Sequence, residues 1–446
     1  MSDLIEWITR HRATEVECLV PDISGIARGK ILPASKFKDS LTDRGLRLPE
    51  AIFVQTVTGE FADSAATSDT NSDVYLVPDA STIRPVPWYE EPTAQVICDA
   101  FYADGSVVDL APRYVLQRVL ALYAERGWRP VVAPEIEFFL VKVNADPDYP
   151  LEPPIGRSGR METGRQAYGI EAANEFDPIV EDLYDYCEAQ GLEVDTINHE
   201  AGAAQMEINF QHGDALDLAD QVFVFKRTLR QAANKHKVYA TFMAKPMQDE
   251  PGSAMHIHQS VVDADSGRNL FATATGLDSA LFRSHIAGLQ KFIPTVMPVF
   301  APNPNSYRRL RRHSDAPINT HWGQDNRTCG LRVPISAGES RRVENRVAGA
   351  DVNPYLAIAA SLACGYLGMT GKMKPKPAVT GSAYRLAYNL PQHLPDALSK
   401  MSASRPMREL LGDRFVDALI DVKREEWSAY QAVISPWERE HLLLNV

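Results

Sequence analysis

The stretch VVAPEIEFFL, residues 131–140, decides the fold, because its apolar residues predict a buried strand that carries two acids. Side chains at positions i and i+2 of a strand point to the same face, so Glu135 and Glu137 share a face. Buried carboxylates repel each other unless a cation neutralises them. The stretch therefore predicts a sheet with a divalent-cation site on one face. The alternative is a pair of exposed acids on an edge strand.

Three further segments place polar side chains at intervals that suit strands. They are AGAAQMEINF (201–210), which follows Glu200 and contains Glu207; GSAMHIHQSV (252–261), with His256, His258 and Ser260 on one face; and RRVENRV (341–347), with Arg342, Glu344 and Arg346 on one face. Each has an alternative reading: solvated glutamates, core or surface histidines, or an ion-pair ladder. Together, oxygen ligands with an imidazole favour Mg²⁺ or Mn²⁺ over zinc. The arginines beside them suit polyphosphate and carboxylate binding.

Composition excludes several classes of protein. A net charge of -12 over 446 residues disfavours nucleic-acid binding, and no apolar run is long enough to span a membrane. The five scattered cysteines predict reduced thiols and a cytoplasmic protein. We find no secretory signal, no GxxxxGK[ST] or GxGxxG nucleotide loop and no GxSxG hydrolase motif.

The order of predicted elements indicates two domains that divide near residue 108. Residues 15–38 predict strand, turn and strand, residues 74–79 and 95–102 predict two more strands, and the small polar residues 58–72 predict a loop. Asp109 is the expected N-cap of a helix that runs to about residue 127. Strands and helices alternate in 109–446. The expected helices there are 176–190, 217–236, 277–294, a buried one at 352–372 and a helical tail at 405–446.

Several motifs together resemble the type I glutamine synthetase family. They are DISGIARGK, PEIEFF, HEAGAAQMEINF, KPMQDEPGSAMHIHQS, NSYRRL, NRTCGLRVP and RRVENRVAGADVNPYL, in the family's order and covering about the whole chain. Within the family the chain is most similar to the γ-glutamylpolyamine and γ-glutamylamine synthetases. The resemblance implies an α+β fold with an N-terminal β-grasp domain (1–108) and a catalytic domain (109–446) with a curved antiparallel sheet. It also implies a homo-oligomer, either a hexameric ring or a stacked dodecamer, with active sites between subunits that the loop 58–72 would reach.

The resemblance assigns roles to individual residues. It implies one metal site at Glu137, Glu200 and Glu207, a second metal site at Glu135, His256 and Glu344, nucleotide contacts at His258, Ser260 and Arg342, phosphate contacts at Arg327 and Arg332, and glutamate contacts at Gly252, Arg309 and Arg346. Arg327 would act on the transferring γ-phosphoryl group. The implied substrates are ATP with Mg²⁺ or Mn²⁺, glutamate and a small amine.

Departures from the family pattern concern the amine. The loop HSDAP has Asp315 where ammonia-using members carry a glutamate, and TGEFADS stands where those members have DGSS. Pro251 replaces the family's asparagine before Gly-Ser. An amine of pKa about 10 arrives protonated, so a carboxylate must bind it and take its proton. Asp315 is the candidate, and a turn-capping aspartate is its alternative reading.

Three functional hypotheses follow. The first is a ligase that joins the γ-carboxylate of glutamate to a polyamine or monoamine through γ-glutamyl phosphate, as in polyamine catabolism. The second is an ammonia-assimilating glutamine synthetase, against which the altered loops argue. The third is a non-catalytic structural relative, against which the six filled ligand positions argue.

Overall fold

The computed structural model describes residues 2–43, 45–312 and 314–446. Its strands are β1 Glu15–Pro21, β2 Ala27–Pro33, β3 Arg47–Pro49, β4 Asp73–Pro78, β5 Arg84–Pro85, β6 Thr93–Phe101, β7 Trp128–Lys142, β8 Val194–His199, β9 Gln205–Phe210, β10 Gly213–Asp214, β11 Val238–Thr241, β12 Met255–Asp263, β13 Trp322–Gln324, β14 Leu331–Val333 and β15 Val343–Asn345. Its α-helices are α1 Ser2–Arg10, α2 Ala34–Asp43, α3 Pro112–Ala124, α4 Ile170–Asn174, α5 Asp177–Gln190, α6 Ala215–Lys235, α7 Ala280–Phe292, α8 Met297–Phe300, α9 Ser306–Arg309, α10 Pro354–Thr370, α11 Leu394–Ser402, α12 Arg405–Leu411, α13 Asp413–Gln431 and α14 Pro436–Leu442.

The N-terminal sheet has the strand order β2-β1-β6-β4-β3, with β5 added to β6. Its central pair, β1 and β6, is parallel, and its other pairs are antiparallel. Helix α2 follows β2 and packs on β1 and β2. A central parallel pair with a helix after the second strand is a β-grasp arrangement. The predicted strand, turn and strand are confirmed for residues 15–33, whereas residues 34–38, predicted to belong to the second strand, begin helix α2.

The larger sheet is built around β7, the strand that contains the opening motif. The strand order is β13-β14-β15-β12-β7-β9-β8, and the short strands β10 and β11 also pair with β7. Its pairs are antiparallel except for the parallel pair of β13 and β14. β7 lies inside the sheet. Its first half alternates between buried and partly exposed residues, and residues 136–141 are buried on both faces. The α+β class, with helices beside a mainly antiparallel sheet, is confirmed.

Helix α10 forms the centre of the helical layer and contacts α3, α6 and α7. It is apolar on all sides, which is typical of a buried helix. The side chain of Asn353 caps it by accepting bonds from the backbone N–H groups of Tyr355 and Leu356, at 3.0 and 3.4 Å. No helix in the part of the chain that the structure describes is long and apolar enough to cross a membrane.

An ion-pair network around Arg113 in α3 joins the N-terminal sheet to helices α3 and α6. Its guanidinium contacts Asp79 and Asp99 at the N-terminal sheet, at 2.7 and 2.8 Å. It also donates to both carboxylate oxygens of Asp220 in α6, at 3.0 and 2.9 Å. The side chain of Arg113 is 3% exposed. Because its charge is compensated by acids from three elements, Arg113 connects the two parts of the chain.

The prediction that Asp109 caps the first helix of the catalytic region is wrong. Helix α3 begins at Pro112, and its N-cap residue, Ala111, makes no side-chain bond to it. The carboxylate of Asp109 instead accepts a 2.7 Å bond from Arg414 of α13. Arg414 also contacts Glu50. The side chain of Asp109 is therefore paired with an arginine near the far end of the chain and does not cap α3.

The loop 58–72 is folded against α13 of the same chain. Glu426 accepts a 2.9 Å bond from the backbone N–H of Val57, Ser64 donates to Asp421 at 2.7 Å, and Arg414 donates to the carbonyl of Ala66 at 2.6 Å. Its contact with a neighbouring subunit stays a prediction.

Candidate active site

Acidic and imidazole side chains converge on one face of the larger sheet. Glu137 on β7 is directly opposite Glu207 on β9. On the other side of β7, His256 is opposite Glu135, and the next strand places Glu344 opposite His258. Directly opposed residues of paired strands share a face, as do residues two apart. The spacing that predicted a common face on each strand thus produces one continuous polar face across four strands.

The first cluster consists of Glu137, Glu200 and Glu207. Each offers a carboxylate oxygen within 4.8 Å of the others. Burial raises the pKa of Glu137, and the charges of Glu200 and Glu207 raise it further. Burial and the neighbouring acids also raise the pKa of Glu207 to about 8. One buried and two half-buried carboxylates with raised pKa values are the environment that a hard divalent cation relieves, so the residues present fit such an ion.

The second cluster is the predicted set of Glu135, His256 and Glu344, which the structure does not bring together as one compact group. Glu135 groups with Glu207 and His256, and separately with His258 and Glu344. His256 Nδ1 lies 3.4 Å from Glu135 Oε2 and 3.7 Å from Glu344 Oε1. Burial and the charge of Arg346 lower the pKa of His256 to about 4, which keeps the ring neutral. Burial opposes ionisation of Glu344, but Arg346 and His256 lower its pKa to about 2. A neutral imidazole between two carboxylates is a suitable set of ligands for Mg²⁺ or Mn²⁺.

A cavity of about 650 Å³ adjoins the second cluster and contains the predicted nucleotide residues. Glu135, His258, Ser260 and Arg342 line it. Arg342 Nε donates to His258 Nδ1 at 3.1 Å, so the opposite ring nitrogen, Nε2, can donate to Glu135 Oε1 at 2.7 Å. This chain of bonds orients His258 between the acid and the arginine. The cavity is large enough for a small organic ligand.

Of the predicted arginines, two lie beside Glu344. Arg332 donates to Glu344 at 2.8 Å and is held from its other side by Asp325. Arg346 also donates to Glu344, while its Nε is buried without a hydrogen-bond partner among the described residues. An unsatisfied buried N–H of a cation is costly, so a ligand carboxylate at this position would be stabilising.

The predicted glutamate-binding residues Arg309 and Gly252 are in contact with each other. Arg309 is buried and donates to the backbone carbonyls of Arg346 and Val347, at 2.9 and 2.8 Å. A Cβ atom at Gly252 would lie 2.6 Å from both the carbonyl oxygen of Ala244 and Cγ of Arg309. Only glycine fits there without displacing the arginine.

The remaining two predicted residues, Arg327 and Asp315, are exposed at the edge of the site. Burial raises the pKa of Glu200, and the charges of Arg327 and Arg346 oppose that rise, which places Arg327 near the first cluster. Asp315 has a left-handed backbone with φ 57°. Burial and then the charge of Asp315 raise the pKa of Tyr384, so these two residues are neighbours.

Gln205 and Asn209 also contact the site, although the sequence analysis did not select them. The side-chain amide of Gln205 lies 3.4 Å from Glu137 and donates to the carbonyl of Gly252 at 3.1 Å. Asn209 donates to Glu207 at 3.1 Å. Positions 205, 207 and 209 share a face of β9, so the spacing of two along that strand could have identified both residues.

Comparisons with known proteins agree with this geometry. Residues 109–442 match the family model for the glutamine synthetase catalytic domain. The chain is 33% identical to γ-glutamylputrescine synthetase of Escherichia coli, over 98% of this chain and 94% of that protein. It is 32% identical to a glutamate–isopropylamine ligase of a Pseudomonas species, over 97% and 95%. The solved structure of GmaS without ligand has a TM-score of 0.85 and 26% identity over the whole of both chains.

Proposed function

The chain belongs to the glutamine synthetase family and is an ATP-dependent ligase, and from this premise we propose that it joins the γ-carboxylate of glutamate to an organic amine. The observation that carries the proposal is the continuous face of Glu137, Glu207, Glu135, His256 and Glu344 beside a nucleotide-sized cavity. Such a face can hold the divalent cations that neutralise ATP phosphates when bound.

The proposed reaction has two steps. The γ-carboxylate of glutamate attacks the γ-phosphorus of ATP, which releases ADP and forms γ-glutamyl phosphate. A neutral amine then attacks the acyl carbon, and phosphate leaves. In this proposal Arg309 and Arg346 hold the carboxylates of glutamate, and Arg332 and Arg342 contact phosphate oxygens. Arg327, exposed near Glu200, would act on the transferring phosphoryl group.

Asp315 is the proposed group that binds the protonated amine and takes its proton. Its exposure at the edge of the site leaves room for an alkyl chain. The two relatives named above, each matched along nearly its whole length, carry names that specify putrescine and isopropylamine as the amines. These features favour an organic amine, a polyamine or a monoamine, over ammonia.

Three further proposals follow the family. The chain divides into an N-terminal domain of residues 1–108 and a catalytic domain of residues 109–446, which the two separate sheets support. It assembles into a hexameric ring or stacked dodecamer with sites between subunits. It acts in the cytoplasm, which its five buried cysteines without disulfides support.

An amine panel tests the function. Phosphate release is measured with ATP, Mg²⁺ and glutamate held constant while putrescine, isopropylamine, ethanolamine or ammonium is varied. We expect at least one organic amine to give a kcat/KM about tenfold or more above that of ammonium, since Asp315 is one methylene shorter than the family's glutamate. Equal turnover with ammonium would favour a glutamine synthetase, and no ADP with any amine would favour a non-catalytic relative.

A variant of the proposed base sharpens the test. Asp315→Asn should reduce amine-dependent phosphate release by about 100-fold, the lower end of general-base effects. ADP formation from ATP and glutamate alone should change little. Asp265→Asn, in an exposed turn far along the chain, is the matched control. If Asp315→Asn retained full amine-dependent activity, Asp315 would not be the base.

A further inference from the structure

A cavity of about 800 Å³ lies outside the site described above and is basic. Four cations line it, namely Lys245, Arg308, Arg311 and Arg312, and we call it the basic cavity. Its remaining walls are largely apolar or aromatic and include Val57, Pro304, Ala429, Tyr430 and Val433. It therefore combines a cationic face with an apolar one.

Neutral groups accept the hydrogen bonds of these cations. Arg308 donates to the hydroxyl of Tyr430 at 3.0 Å, and Lys245 donates to the carbonyl of Glu250. Arg312 donates to the carbonyls of Tyr384 and Leu386, at 2.7 and 3.2 Å. The side chain of Arg311 has no partner among the residues that the structure describes.

Among the described lining residues, Glu426 is the only acid, and it is already engaged. Its carboxylate accepts bonds from Lys423 at 2.8 Å and from the backbone N–H of Val57 at 2.9 Å. Among the described lining residues, no free acid compensates Arg308, Arg311 and Arg312, although the chain as a whole carries -12. Lys245 differs, because the charges of Glu250 and Asp249 act on it.

Uncompensated like charges in one cavity repel each other, and an anion between them removes that repulsion. Burial lowers the pKa of Lys245. Glu250 and Asp249 oppose that shift, and the charges of Arg165 and Arg311 act in the same direction as burial. The volume lies in the range of small-molecule sites. We propose that the basic cavity binds a small organic polyanion, one that carries several carboxylate or phosphate groups on an apolar or neutral body.

The position of the basic cavity suggests what the bound anion does. Arg308 precedes Arg309 in the single turn of α9, and Arg312 and Ser314 lie just before Asp315. An anion that contacts both segments restrains the arginine proposed to hold glutamate and the carboxylate proposed to receive the amine. It would thereby change the KM of the amine, a role that rests on the proposed function, whereas the binding itself does not.

Direct titration of the full-length protein tests the binding. Citrate and pyrophosphate are titrated separately by calorimetry without divalent cations, which both would chelate, so that the two arms distinguish carboxylate from phosphate recognition. We expect saturable binding that weakens as salt increases. Arg308→Gln and Arg311→Gln should each reduce the affinity by about tenfold, the loss of one charge-assisted bond.

Two control variants keep the test specific. Arg405→Gln removes the same charge from an exposed arginine of α12 that pairs only with Glu409, and it should bind as the unchanged protein does. Arg342→Gln alters the nucleotide cavity, and its affinity for the titrated anions should also be normal. The side chain of Arg311 has no partner to lose among the described residues, so its variant should fold. Circular dichroism verifies the fold of each variant.

Several results would overturn the proposal. They are absence of saturable binding by both anions, unchanged affinity in the Arg308→Gln and Arg311→Gln double variant, and loss of binding in Arg342→Gln alone, which would assign the anions to the nucleotide cavity. At constant free Mg²⁺, a saturating anion that left the amine KM unchanged would remove the regulatory role. Anion binding without amine-dependent phosphate release would contradict the proposed function, but it would still support anion binding in the basic cavity.

Discussion

At the level of single residues, the side chain of Glu207 lies in an environment that opposes its ionisation. It is held close to Glu137 and Glu200 by the strand register, and burial together with neighbouring acids raises its pKa to about 8. The fold therefore maintains repulsion that only a cation or a proton relieves. Replacing this carboxylate by a neutral amide of the same shape should separate its electrostatic cost from its role as a ligand.

We predict that Glu207→Gln increases stability when divalent cations are absent. At pH 7 the free energy of unfolding in a chelator should rise by about 1 to 2 kcal/mol, because a carboxyl group with a raised pKa must take up a proton on folding and an amide need not. The stabilisation gained on adding Mn²⁺ should fall, because a ligand is lost. Thermal unfolding with and without Mn²⁺ measures both effects. Glu440→Gln, at an exposed position of α14, is the control, and a destabilised Glu207→Gln variant in chelator would contradict the argument.

At the level of elements, the segment that carries Asp315 is attached to residues 384–388. The backbone N–H of Arg312 donates to the hydroxyl of Tyr388 at 3.1 Å, and its guanidinium lies 5.3 Å from the Tyr388 ring centre. The side chain of Arg312 also bonds two carbonyls of that segment. Asp315 has an unfavourable left-handed backbone, so its position depends on these contacts.

We therefore predict that Tyr388→Phe raises the KM for the amine by about threefold to tenfold, the equivalent of one hydrogen bond. The KM for glutamate should change less, because Arg309 and Arg346 are fixed by other contacts. Steady-state kinetics with each substrate varied in turn measures the difference. Tyr149→Phe is the control, since Tyr149 is 71% exposed. Equal changes in both KM values would indicate a general loss of stability instead.

Individual strands and helix ends show which features the sequence could predict and which it could not. Strands β7 and β12 follow from apolar residues with acids or histidines two apart, because that pattern depends only on local geometry. The fate of Asp109 could not be predicted, since it depends on Arg414, 305 residues later. Strand β15 is shorter than the predicted 341–347, yet Arg346 still reaches Glu344 from outside it. Contacts between distant segments therefore determine the side-chain partners that local sequence patterns could not predict.

At the scale of the whole molecule, the ion pairs of Arg113 connect the N-terminal sheet to helices α3 and α6. We predict that Arg113→Met lowers the free energy of unfolding by about 3 to 5 kcal/mol, because it leaves the carboxylates of Asp79, Asp99 and Asp220 without their shared cation. Denaturant unfolding measures the loss. Arg118→Met, on the exposed side of the same helix, is the matched control, since Arg118 bonds only backbone carbonyls. A similar loss in both variants would contradict the prediction.

The ion pairs of Arg113 and Arg414 also limit how freely the two parts of the gene can change. Arg113 and Arg414 lie after residue 108, whereas Glu50, Asp79 and Asp99, which compensate them, lie before it. The two parts of the gene therefore cannot vary independently at these positions. A chimera that took residues 1–108 from a relative lacking these three acids would leave Arg113 with Asp220 and Arg414 with Asp109 as their remaining acids. Recombination should therefore succeed best where acids and arginines are exchanged together.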